Sequence, residues 1–184
     1  PFAIKKPVLF YGSSITQGGC ASHPGNAYTN ILTRMLDFEA YNLGFSGSAH
    51  GEAFVAEQIA TLDLACFVLD YDYNAVDHEE LERTHLPFFE IVRKAHPTLP
   101  IILITRPDTD HLPEDAAVRK EIILRTYQKA VESGDKNVYF IDGATLFGTE
   151  GREYCTVDGS HPNDMGFYRM AQTIYPVLKK ALGV

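Results

Sequence analysis

Five short apolar runs, each followed by a longer mixed stretch, constrain this chain more than any other feature. They fall at residues 7–11 (PVLFY), 40–43 (AYNL), 65–69 (ACFVL), 100–104 (PIILI) and 138–141 (VYFI), and runs of this length bounded by turn residues read as buried strands. The stretches between them carry helix signals. Asp77 with Glu80 predicts a capped helix start, with Pro87 interrupting that segment and restarting it. Pro113 followed by Glu114 and Asp115 opens a further helix whose Ile123, Tyr127, Ala130 and Val131 share one face, with Gly134 as its C-terminal cap. Phe167, Ala171, Ile174, Leu178 and Leu182 give the last helix an apolar stripe, kinked at Pro176. Strands joined by helices require right-handed crossovers and a sheet covered on both faces. The expected fold class is therefore α/β: a three-layer α/β/α sandwich with a central parallel sheet of about five strands.

Length and charge narrow the functions open to such a fold. With 184 residues, 45% of them hydrophobic and 22% charged, the chain is long enough for one sizeable core, and residues 1–184 read as a single domain. A net charge of −8 disfavours nucleic acid or an anionic membrane as partner, because both are engaged by clustered Lys and Arg. No apolar run approaches the ~18 residues of a membrane span, and the first residues lack a signal-peptide layout. The chain opens on Pro1 rather than Met, which points to a processed protein or a piece of a longer one and leaves localisation open. Cys20, Cys66 and Cys155 form neither a disulfide framework nor a zinc pattern by count. Cys66 reads as a core residue, whereas Cys20 and Cys155 flank two of the motifs below and are open to pairing.

Chemistry concentrates in four segments at or just beyond predicted strand ends: GSSITQG (12–18), NLGFSG (42–47), DYDYN (70–74) and DGSHPN (158–163). In a parallel sheet all carboxyl ends emerge on one edge, where open α/β sheets place their ligands. In the last segment Asp158 and His161, three residues apart in a Gly- and Pro-containing turn, can set a carboxylate against an imidazole and so support a base for a serine hydroxyl. If the third strand continues to residue 74, then Asp70, Asp72 and Asn74 share one face, and Asp72 stands at the mouth of a cleft beside Tyr73 as a candidate binder of polar substrate groups. The other reading buries Asp70 against a cation such as Arg106 and leaves Asp72 solvated. His23 and His50 are candidates to line the cleft. His78, His85 and His96 read as surface or partly packed, Asp108 and Asp110 as solvated loop residues, and no HExxH or CxxC cluster suggests a metal.

Taken in order, these segments resemble the SGNH (GDSL-type) hydrolase superfamily, in particular its GDSL-like lipase/acylhydrolase subgroup with YGSSITQGG as first block. The resemblance spans Gly12 to Asn163 and implies the flavodoxin-like SGNH fold. It implies Ser14 as nucleophile, Asp158 and His161 as its triad partners, and no cofactor. The backbone N–H groups of Ser14 and Gly47 and the Asn74 side chain would then form the oxyanion hole. Two departures stand out: Ser13 replaces the usual Asp beside the nucleophile, and Tyr73 and Ala75 replace the usual Gly and Asp around Asn74. Subgroup members often carry an additional β-sandwich domain before the hydrolase, which fits the Pro1 start. The implied activity is a serine ester hydrolase acting through an acyl-enzyme, with a small-molecule or oligosaccharide ester as partner. The absence of an amphipathic lid-like segment and the negative charge favour short acyl groups, acetyl above all, on carbohydrate or other polar alcohols. A lipase, lysophospholipase or thioesterase of the same fold, and a non-catalytic flavodoxin-like binding module, are the alternatives.

Overall fold

In the computed structural model, which describes residues 1–108 and 110–184, all five apolar runs are strands. They are β1 (Ile4–Gly12), β2 (Phe38–Gly44), β3 (Cys66–Asp70), β4 (Ile101–Ile104) and β5 (Val138–Ile141). All pairings are parallel, in the order β2-β1-β3-β4-β5. Successive side chains of a strand point to opposite faces, and the inner strands are apolar on both. Val8 and Phe10 of β1 enter one core with Val68 and Ile102, whereas Leu9 and Tyr11 enter the other with Phe67, Leu69 and Leu103. This double burial explains why the runs are continuous rather than alternating.

Among the described residues, six α-helices accompany the sheet: α1 (Ser14–Gln17), α2 (Tyr28–Leu36), α3 (Ala53–Ile59), α4 (His78–Ala95), α5 (Pro113–Glu132) and α6 (Asp164–Leu182). Residues of α2 and α6 fill the core beneath Val8 and Phe10, and those of α3, α4 and α5 fill the opposite one. The caps follow the sequence: Asp77 accepts from the Glu80 N–H, Pro113 opens α5, and Gly134 follows its end at φ +89°.

Two helix expectations need correction. Pro87 does not interrupt α4, which runs through it. Pro87 and Arg83 both lie on the exposed side, so the carbonyl deprived of its N–H partner faces water, where the loss is small. α6, expected to kink at Pro176, likewise runs on through that exposed residue. Val131 is 46% exposed rather than sharing the buried face with Ile123 and Ala130. Eight residues at 3.6 per turn carry it about 80° around the helix from Ile123.

The order of the strands places the site. β1 and β3 are neighbours, and the chain leaves β1 for one edge and β3 for the other, which is the switch point where ligands lodge in sheets of this kind. Gly12 pairs with Gly44 on one side and Asp70 on the other, so three of the four motif segments begin at the same level of the sheet.

Candidate active site

The turn that carries Ser14, the candidate nucleophile, is built into the core. Gly12 is where β1 ends, and a side chain there is excluded: an added Cβ would lie 2.1 Å from Thr16 Oγ1 and 2.2 Å from the Asp70 carbonyl oxygen. Ser13 then caps α1, its hydroxyl accepting from the Ile15 N–H at 3.1 Å. A serine thus performs the local support that an aspartate would give at this position. Beneath α1 lies the Asp70 carboxyl, 5% exposed, which accepts from Thr16 Oγ1 at 3.0 Å and the Tyr28 hydroxyl at 2.8 Å. Burial pushes its pKa up to about 8. Its partners are neutral hydroxyls rather than the Arg106 cation, so no hydrogen-bonded counter-charge offsets its desolvation.

The second turn is framed by hydrogen bonds within its own loop and at the start of α6. Thr156 and Pro162 form an antiparallel bridge, Val157 N–H donates to the His161 carbonyl at 2.9 Å, and Asn163 caps α6. Within this frame Asp158 Oδ1 accepts the N–H groups of His161 at 2.7 Å and Ser160 at 2.9 Å, while Oδ2 sits 2.8 Å from His161 Nδ1. The His161 backbone N–H, then the imidazole contact and the Ser160 N–H, hold the Asp158 pKa down to about 2. An ionised carboxylate only accepts, so Nδ1 carries the proton and Nε2 presents a lone pair. That lone pair faces Ser14 Oγ at 2.9 Å. Residues 147 apart in sequence therefore form one hydrogen-bonded line, Ser14–His161–Asp158.

Two of the residues that the resemblance assigns to the oxyanion side, Gly47 and Asn74, lie in the turns after β2 and β3. Gly47 has φ +66°, in the left-handed region that glycine occupies without penalty, and a Cβ there would meet nothing within 4 Å. Conformation, not space, selects glycine. Among the described residues, the backbone N–H groups of Ser14 and Gly47 donate to no protein acceptor. Asn74 Nδ2 donates to the Phe45 carbonyl at 2.7 Å, which orients the amide and leaves its second N–H free to donate elsewhere.

Here the strand-continuation argument fails. β3 stops at Asp70, and Asp72–Asn74 form a 3₁₀ turn, so the alternation of faces ends before Asp72. Asp72 is 1% exposed and accepts the Arg106 N–H at 3.1 Å, with its other oxygen unpartnered. Burial pushes its pKa up to about 6. It lies beneath the turn rather than at the mouth of a cleft, and is neither a solvated residue nor a sugar contact. Tyr73 is half-buried, with its ring 6.2 Å from that of His161 and the Arg106 guanidinium 4.5 Å above its centroid.

Other expectations are revised as well. Asp108 is 3% exposed and ion-paired with Arg106, not solvated; Asp110 is exposed and meets Arg152 at 2.7 Å. His85 is 1% exposed and bonds Thr126 at 2.9 Å, and burial pushes its pKa down to about 3. The imidazoles of His23 and His50 are engaged by Ser22 and Glu80. All three cysteines are free, so Cys20 and Cys155 are not bridged, while Cys66 is buried in the core as expected. Among the described residues, no group of three or more His, Cys, Asp or Glu gathers to hold a metal, and no helix is long and apolar enough to cross a membrane. Sequence reasoning passed over Ser160 and misplaced Arg106, read as a partner for Asp70, and Asp108, read as a solvated loop residue. The one local sign of them is an Arg-Pro-Asp step immediately past β4, at the same sheet edge as the motifs.

A flavodoxin-like sheet with these motifs at its carboxyl edge defines the SGNH hydrolase class. The GDSL-like lipase/acylhydrolase family model matches residues 5–179, and the chain belongs to that family. Among solved structures, a Bacteroides ovatus protein assigned as a GDSL-like lipase is 36% identical, with a TM-score of 0.87 over 98% of this chain and 54% of its own. A salicylyl-acyltransferase from a tetracycline biosynthetic pathway is 25% identical, with a TM-score of 0.83 over 98% of this chain and 55% of its own. A family two carbohydrate esterase from Clostridium thermocellum, solved with cellohexaose, shares the fold at 16% identity and a TM-score of 0.78, over all of this chain and 66% of its own. The chain thus spans about half the length of the first two structures. No match is found among curated proteins.

Proposed function

We propose that the protein is a serine ester hydrolase that removes short acyl groups, acetyl above all, from carbohydrates or similarly polar alcohols. The observation that carries the reading is the line from Ser14 Oγ through His161 Nε2, at 2.9 Å, to Asp158, 2.8 Å from Nδ1. Ser14 Oγ attacks the ester carbonyl carbon while its proton passes to His161 Nε2, and the imidazolium is stabilised by the ionised Asp158. The oxyanion takes hydrogen bonds from the Ser14 and Gly47 N–H groups and the Asn74 amide, each worth ~3 kcal/mol by analogy with known donors of this kind. His161 returns the proton to the leaving alkoxide, and the acyl group stays on Ser14 as an ester. A water, deprotonated by His161, then attacks that ester, and collapse releases the acid and restores the serine.

Polarity around the site supports the choice of alcohol. Gln17, Ser46, Gly47 and Ser48 are exposed near the nucleophile turn. A groove of about 610 Å³ beside Asp158 is lined by Asp110, His111, Arg152, Glu153 and Thr156, which can exchange hydrogen bonds with hydroxyls, together with the apolar Phe147 and Val157. The fold shared with a carbohydrate esterase points the same way. The test is kcat/KM on p-nitrophenyl esters from acetate to palmitate, followed by acetate release from acetylated oligosaccharides. The expected profile peaks at acetate with release from the sugars. A maximum at eight carbons or longer without such release moves the enzyme to the lipase or thioesterase side of its family, and no turnover of any ester, with no phosphonate labelling of Ser14, removes the catalytic reading.

A further inference from the structure

Two turns must stay in register for the proposed chemistry: Asp158–His161, which holds the base, and Asp72–Asn74, which holds a donor to the oxyanion. The first lies in the loop between β5 and α6 and the second in the β3–β4 crossover, and they share no direct hydrogen bond among the described residues. Both are tied to a third segment, the start of the β4–α5 connection. Arg106 and Asp108 lie there, 5% and 3% exposed. Arg106 Nε and Nη2 reach the two Asp108 oxygens, each at 2.7 Å, and Nη1 reaches Asp115 Oδ2 at 2.6 Å.

From this clamp one arm goes to each turn. On the base side, the buried Ser160 hydroxyl donates to Asp108 Oδ2 at 2.9 Å, and the Ser160 N–H in turn donates to Asp158 Oδ1. On the oxyanion side, the Arg106 N–H donates to Asp72 Oδ2, its guanidinium covers the Tyr73 ring, and Arg119 Nη1 donates to the Asp72 carbonyl at 2.5 Å. Arg119 Nε also meets Asp115 at 2.8 Å, which joins the two cations through one carboxylate.

We propose that Arg106 and Asp108, acting through Ser160 and Tyr73, are positioning residues that fix the acid–base turn against the oxyanion turn. Stability is a weak reason to bury such a set of charges, since apolar residues of similar volume often serve as well or better. What a forked guanidinium–carboxylate pair supplies, and apolar packing does not, is direction. Direction matters here because a displacement of about 1 Å in a catalytic group can reduce the rate as much as ~100-fold. Neither residue touches the reacting atoms, so their effect is transmitted through the Ser160 hydroxyl and the Tyr73 ring.

The proposal rests on the serine hydrolase reading, and its test separates the two. In Ser160→Ala one hydroxyl is lost from the clamp and every triad atom remains. On p-nitrophenyl acetate, kcat should fall about tenfold or more with KM within about twofold. Labelling of Ser14 by a phosphonate should slow by the same factor, with the melting temperature within a few degrees of wild type. Ser160→Thr, which restores the donor, should recover most of kcat. Wild-type kcat and labelling rate in Ser160→Ala overturn the clamp, as does an equal loss in Ser160→Thr, which would mark packing alone. If the wild-type protein is not labelled at Ser14, the hydrolase reading fails first and the clamp falls with it.

Discussion

The turn that carries Ser14 and the turn that carries His161 meet at a 2.9 Å hydrogen bond, yet they are held by opposite means. The first is sunk into the core: Gly12 admits no Cβ, and the carboxyl beneath α1 is dry, with a pKa near 8. The second is exposed, its carboxylate open to water over half its side-chain surface and held near pKa 2 by two backbone N–H groups and an imidazole. The proposed nucleophile is immobilised by packing, and the proposed base by hydrogen bonds. Two aspartates at one sheet edge thus differ by about six pK units because one is desolvated among hydroxyls and the other is surrounded by donors.

The comparison breaks most severely if the two turns do not work as one unit. Ser14→Ala and His161→Ala should each lower kcat by several orders of magnitude, and the double variant should be no worse than either, since nucleophile and base act together. Additive losses measured on p-nitrophenyl acetate would mean that the two residues serve separate steps. Next in size is Asn74→Ala, which should lower kcat by roughly 10²- to 10³-fold at nearly constant KM, because the oxyanion contact strengthens only in the transition state. A change in KM alone would make Asn74 a ground-state contact.

Stability should then distinguish packing from hydrogen bonding. Gly12→Ala forces a methyl into the Asp70 backbone and should destabilise by roughly 1–3 kcal/mol in urea unfolding, the usual cost of overpacking. A wild-type midpoint would show that the nucleophile turn yields more readily than its geometry implies. The smallest signal is a pH slope. Asp70 has a folded pKa raised above its unfolded value of 3.8, so the folded state keeps a proton that the unfolded chain loses. Its contribution is fully present below about pH 4 and is lost as pH rises through about 8. Asp158 has the opposite sign: its contribution is present above about pH 4 and is lost as pH falls towards 2. Asp70→Asn should flatten the decline in melting temperature between pH 5 and 9 and leave the acid limb unchanged. An unaltered alkaline slope would show that Asp70 is not the group responsible.

Much of this architecture is written locally. The apolar runs at 65–69 and 100–104 became β3 and β4 because their residues have no exposed face to satisfy, and Asp77 and Pro113 mark helix starts through bonds or ring geometry within a few residues. The order of GSSITQG, NLGFSG and DYDYN along a βα chain is likewise sufficient to bring them to one edge, because parallel strands all end there, whereas DGSHPN reaches them through the long loop between β5 and α6. Sequence by itself therefore determined the class of fold, the family, and which segments converge.

Tertiary structure decided the environment of every charged group among them. Nothing near Asp72 in the chain distinguishes it from a solvated carboxylate. It is buried because β3 stops two residues earlier and Arg106, 34 positions away, supplies its N–H. Asp108 is likewise a clamp rather than a loop residue because Ser160, 52 positions on, and the Arg106 fork reach it. The physical reason is common to both cases. Apolar burial can be read from a residue's own side chain and its periodicity, but a polar group is buried only where partners from other elements replace its water, and those partners are set by the fold.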